Sequence, residues 1–114
     1  MLDAGDEIIV VDPAYVGYMP ILKAIDVKVT WVDALPENDF LPTLASLLTA
    51  ITENTRVIFI NTPSNPSGAI MSRDFLATLA EECQKRGIWL VCDEVYSMFT
   101  YDKPHVSLLS LIHI

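Results

Sequence analysis

Apolar positions in this 114-residue chain come in short runs separated by stretches with helical spacing. Gly5-Asp6-Glu7 reads as a turn, and Ile8 to Val11 as a strand that Asp12-Pro13 ends, because the residue before a proline is pushed out of helical conformation. A helix then runs to Ile25. Val27 to Val32 alternates, with Lys28 and Thr30 pointing away from the valines, which predicts a strand with one wet face or a place near a sheet edge. Leu35 to Phe40 is loop. Leu44, Leu47, Leu48 and Ile51 recur at i, i+3, i+4 and i+7 and predict a helix over Leu41–Thr52, with Pro42 in its first turn. Val57 to Ile60 shows no alternation, so this strand is expected to be buried on both faces, with helices above and below.

A third helix is predicted over Arg73–Arg86. Leu76, Leu79, Ala80 and Cys83 form its apolar face, Ser72 can cap its start, and Gly87 can close its end. Ile88 to Cys92 follows as another buried strand. Strand, helix and strand at these lengths make a right-handed crossover with parallel strands. The expected fold class is α/β, a three-layer α/β/α arrangement around a mostly parallel sheet.

Two polar stretches stand at the carboxyl ends of the buried strands, where parallel sheets bind ligands. The first is Asn61-Thr62-Pro63-Ser64-Asn65-Pro66-Ser67-Gly68. Its prolines restrict φ and withdraw N–H donors, and Gly68 adds freedom just before the next helix, so the loop can hold Asn65 in one place. The same residues are also ordinary turn formers. The second is Asp93-Glu94-Val95-Tyr96, an acid and a phenol at the end of a strand; Asp93 could equally serve as a helix cap or half of a surface ion pair. Tyr15 fits either an aromatic stacking site or, with Tyr18, the apolar face of the first helix.

Composition narrows the classes. An apolar content of 52% excludes a disordered chain, and no apolar run approaches the roughly 18 residues of a membrane span. Met1 to Asp6 lacks the basic start of a signal peptide, and a soluble, cytoplasmic protein is expected. The net charge of −8, with seven scattered Lys and Arg, argues against a nucleic-acid partner. Cys83 and Cys92, with His105 and His113 distant, make no metal-ligand spacing and read as buried core thiols; Met71 and Met98 read as core fillers. There is no Gly-x-Gly-x-x-Gly and no Gly-x-x-x-x-Gly-Lys phosphate loop.

Asn65-Pro66-Ser67-Gly68, a helix, a strand and Asp93-Glu94-Val95-Tyr96, taken together, resemble the class I/II aminotransferases of fold type I, which use pyridoxal 5′-phosphate (PLP). The likeness runs from Gly5 to about Leu109. It implies that residues 1–114 are part of a cofactor-binding large domain, with no second domain present. It also implies a role for each site residue: Asp93 against the ring nitrogen, Asn65 and Tyr96 as donors to the phenolic oxygen, and Tyr15 stacked on the ring. Amino acids and 2-oxo acids are the implied substrates, and a homodimer the implied assembly.

No catalytic residue is assigned. The family's Schiff-base lysine lies beyond the Asp-x-x-Tyr motif, and Lys23, Lys28, Lys85 and Lys103 do not fit its place. The Gly-rich phosphate loop, the phosphate-binding arginine and the small domain are not matched either, and the apolar tail Leu108–Ile114 reads as a chain cut inside a fold. A truncated, inactive transferase is therefore expected. Carbon-sulfur lyase or other α-carbon chemistry on the same scaffold, a non-catalytic ligand-sensing α/β module, and a fragment without function remain the alternatives.

Overall fold

The computed structural model describes residues 2–111; Met1 and the end of the apolar tail, Ile112 to Ile114 with His113, lie outside the described residues. Four strands form one sheet: β1 (Glu7–Asp12), β2 (Lys28–Asp33), β3 (Thr55–Asn61) and β4 (Trp89–Asp93). Three helices accompany them: α1 (Tyr18–Ala24), α2 (Leu44–Ala50) and α3 (Arg73–Arg86). The strand order is β2-β1-β3-β4, and every pairing is parallel.

From β1 the chain steps outward to β2, then crosses back over β1 to β3 and on to β4. Right-handed crossovers that reverse direction must put their helices on opposite faces. The two cores show this. Ile9, Ile58 and Ile60 pack with Leu47 of α2 and with Leu76, Leu79 and Cys83 of α3, while Ile8, Val10 and Val57 pack with Leu22 of α1 on the other face. The result is three layers.

Local chemistry sets the helix limits. Thr43 is extended, and its hydroxyl accepts from the Ser46 N–H at 3.0 Å, so α2 begins at Leu44 and Pro42 stands before it, not in its first turn. Ser72 accepts from the Phe75 N–H at 3.2 Å, and Gly87, at φ +66°, closes α3 with its N–H on the Cys83 and Gln84 carbonyls. No described helix is long and apolar enough to cross a membrane.

Burial departs from expectation on the β4 side. Trp89 is 59% exposed and the rest of β4 only half-buried, because this strand is an edge of the described sheet with a neighbour on one side alone. Cys92 is accordingly half-buried where Cys83 is fully buried. Burial raises both thiols, Cys83 to about 11 and Cys92 to about 12, the latter helped by Glu94. Met71 fills the core as expected, but Met98 is 90% exposed, since it stands on the turn beyond β4 where nothing packs on it.

The amino edge of the sheet is sealed by a charge. Glu7 is buried, accepting from Thr55 Oγ1 at 2.8 Å and Thr52 Oγ1 at 3.1 Å, with Lys28 Nζ at 2.9 Å. Burial alone would raise its carboxyl, but the bonds from Lys28, Thr55 and Thr52 together outweigh it and its pKa falls below the usual carboxylate value. A depressed folded pKa means stability that is present above the unfolded value and lost as pH falls through the folded one. Glu7→Gln keeps an acceptor for the hydroxyls and discards the charge. Urea denaturation should find it about 1–2 kcal/mol less stable than wild type at pH 7, a gap discounted for the exposure of Lys28, which narrows as pH drops below the ordinary carboxylate range.

Candidate functional site

Parallel pairing places all four carboxyl ends on one edge, where Asp12 stands opposite Asp33 and Asn61 opposite Asp93. The crossovers leaving β1 and β3 run toward opposite edges of the sheet, so the loops leaving these strands diverge and open a crevice. Pro13, Tyr18, Phe59, Asn61, Ser64 and Asn65 are among its lining residues.

The loop after β3 is closed on itself. Ser64 N–H donates to the Ala69 carbonyl at 2.9 Å, and Gly68 N–H, from a residue at φ +74°, to the Ser64 carbonyl at 2.8 Å. Thr62 Oγ1, fully buried, accepts from the Met71 N–H at 3.0 Å. Asn65 is thereby held, and its own N–H donates to Asn61 Oδ1 at 2.7 Å. Its Nδ2 reaches Tyr96 Oη at 3.3 Å across a separation of 31 residues.

Asp93 ends β4, and its two carboxylate oxygens are separately anchored. Oδ1 accepts from the Val95 N–H at 3.0 Å; Oδ2 accepts from Tyr18 Oη at 2.6 Å. Each oxygen retains a further lone-pair direction. The Tyr18 phenol is strongly raised, first by burial and then by the hydrogen bond to Asp93 and its charge, so it stays a donor. Its ring is pinned edge-on between Phe59, with centroids at 4.8 Å, and Tyr15, at 5.4 Å.

Tyr15 precedes α1 and is 48% exposed, which removes it from the helix face. Its ring lies over Gly17, where any Cβ would collide with it. Glu94 faces the other way: Oε1 accepts from the Leu108 N–H at 2.6 Å, and Oε2 is 3.2 Å from His105 Nε2. Burial is offset by Leu108, His105 and Ser107, so its carboxyl lies below the usual range, and its role is to fasten the returning chain.

The structure thus brings Asn65 to Tyr96 directly, and Tyr15 to Asp93 through Tyr18. Two residues escaped the sequence reading. Tyr18 could be seen only as an aromatic at helical spacing, and Asn61 only as one more polar loop residue. The available signal for Asn61 was a lone amide ending an otherwise apolar strand. The lysines lie elsewhere: Lys28 pairs with Glu7 at the amino edge, Lys85 with Glu82 near the end of α3, and Lys23 in the last turn of α1.

Residues 1–113 match the family model for aminotransferase class I and II. The arginine–pyruvate transaminase of Pseudomonas aeruginosa is 40% identical over 97% of this chain and 28% of its own length. The aspartate aminotransferase of Bacillus subtilis is also 40% identical, over 97% of this chain and 28% of that protein. Among solved structures, the Thermus thermophilus aspartate aminotransferase with maleate superposes with a TM-score of 0.92 at 34% identity, covering 96% of this chain and 29% of that one. The chain therefore spans under a third of the length of these relatives, with 28% the share of the first. It belongs to the class I and II aminotransferases, PLP-dependent enzymes of fold type I.

Proposed function

We propose that this chain forms the ring-holding part of a PLP site that serves amino-group transfer between an amino acid and a 2-oxo acid. The observation that carries the reading is the meeting of two neutral donors, Asn65 Nδ2 and Tyr96 Oη, 3.3 Å apart on loops whose strands pair Asn61 with Asp93. The donor set fits the cofactor. A carboxylate suits a protonated ring nitrogen, and two adjacent donors suit a phenolate oxygen. When bound, PLP supplies the electron sink that weakens bonds at the substrate α-carbon.

Asp93 would accept a hydrogen bond from a protonated ring nitrogen and favour its charged form; Tyr18 and Val95 fix the orientation of its carboxylate. Asn65 and Tyr96 would donate to the phenolic oxygen and hold negative charge on it. Tyr15, beside Tyr18, would supply an aromatic surface for the ring to stack on. On this reading the covalent lysine and the phosphate donors come from other parts of the enzyme; the positions of Lys23, Lys28 and Lys85 away from the carboxyl edge and of Lys103 in an exposed turn support it for the lysine. The working enzyme is then a longer, cytoplasmic homodimer. The relatives' names span aspartate and arginine–pyruvate, which share the amino acid and oxo acid chemistry and not one side chain.

In the intact enzyme, Asp93→Ala should lower turnover at least about a hundredfold with PLP still bound; a near-normal rate excludes the proposed role. Borohydride reduction of the 114-residue chain mixed with PLP should label no specific lysine by peptide mapping, and one stoichiometric site would place the covalent lysine within it. Tyr18 should stay protonated under its raised pKa. Ultraviolet titration to about pH 11 should therefore give Tyr18→Phe the same tyrosinate amplitude as wild type, and a smaller amplitude in the variant would mean that this phenol does ionise in that range.

A further inference from the structure

The last residue of β3 makes two contacts of opposite sense. Asn61 Nδ2 donates to the Asp93 carbonyl at 2.9 Å, and Asn61 Oδ1 accepts from the Asn65 N–H at 2.7 Å. The orientation of the amide is fixed by its partners, because a carbonyl can only accept and an N–H can only donate. The Asp93 carbonyl also takes the Thr62 N–H at 3.1 Å, so the β3–β4 ladder is carried past its last paired residues by main chain and side chain together. Among side chains of this length, only an amide donates and accepts at once along one plane. Aspartate would set an oxygen against the Asp93 carbonyl, and leucine would leave both loops untied.

We infer that Asn61 is a positioning residue that sets the spacing between Asn65 and Asp93, and so between the contacts to the phenolic oxygen and to the ring nitrogen of the cofactor. The inference rests on the reading of the site given above. Asn61 itself need not touch the ring. Its side chain links the backbone of the two residues that would make those contacts, and a shift of either loop would disturb their spacing.

The test uses the intact enzyme with added PLP. Asn61→Ala removes both bonds; Asn61→Asp is isosteric, keeps the acceptor for the Asn65 N–H and guards against a folding failure of the alanine variant. Hydrogen exchange in the cofactor-free protein should show the Asn65 amide exchanging at least about tenfold faster in Asn61→Ala, with protection largely retained in Asn61→Asp. Both variants should weaken PLP binding about tenfold or more and shift the pH midpoint of the visible band of the bound cofactor, with kcat lowered and the KM for the amino acid little changed. Unaltered affinity and an unaltered midpoint in both variants, even with faster Asn65 exchange, would make Asn61 a loop brace alone and overturn the inference. Asp93→Ala and Asn65→Ala separate the two levels. If neither moves the band, the reading of the site fails; if both do and the Asn61 variants do not, only the role of Asn61 fails.

Discussion

Parallel strands share one polarity, and this constraint governs the molecule. A chain that steps from β1 to β2 and then reverses to β3 and β4 has to cover both faces of the sheet and must part its loops at a single place on one edge. Everything chemical in the described residues follows from that parting. The residues just past the last apolar positions of β3 and β4 emerge side by side, and those past β1 lean over them.

The two edges are finished differently. At the amino edge a charged group is sunk into the sheet and fully answered, with Glu7 meeting two hydroxyls and Lys28. At the carboxyl edge polar groups are fixed but keep capacity: Asp93 has both oxygens anchored and lone pairs to spare, and Asn65 and Tyr96 share one contact between them. One edge contributes stability, while the other stays organised and open.

Much of this was legible in the residues. Arg73–Arg86 was bounded by its own cap and its closing glycine, so the predicted helix and the observed one coincide. The unbroken run at Val57 to Ile60 announced a doubly covered strand, and the alternation of Lys28 and Thr30 announced an edge. What could not be read depended on neighbours. The exposure of Trp89 and Met98 reflects which elements lie beside them, a fact no local spacing contains. The bond from Tyr18 to Asp93 joins residues 75 apart, and the amide of Asn61 matters only once the register has set it against Asp93. Sequence motifs supplied the groups that would face a ligand; the fold was needed to find the groups that aim them.

Gly17 shows how far such aiming extends. Its backbone is helical, at φ −69° and ψ −16°, so no torsional need calls for a glycine there. What a side chain would meet is the ring of Tyr15, which occupies the space a Cβ would take. The pressure at position 17 is therefore lateral. Even an alanine would leave the main chain undisturbed and act as a wedge under the aromatic, swinging it away from Tyr18, so that the smallest residue of the segment decides where one of its largest can lie.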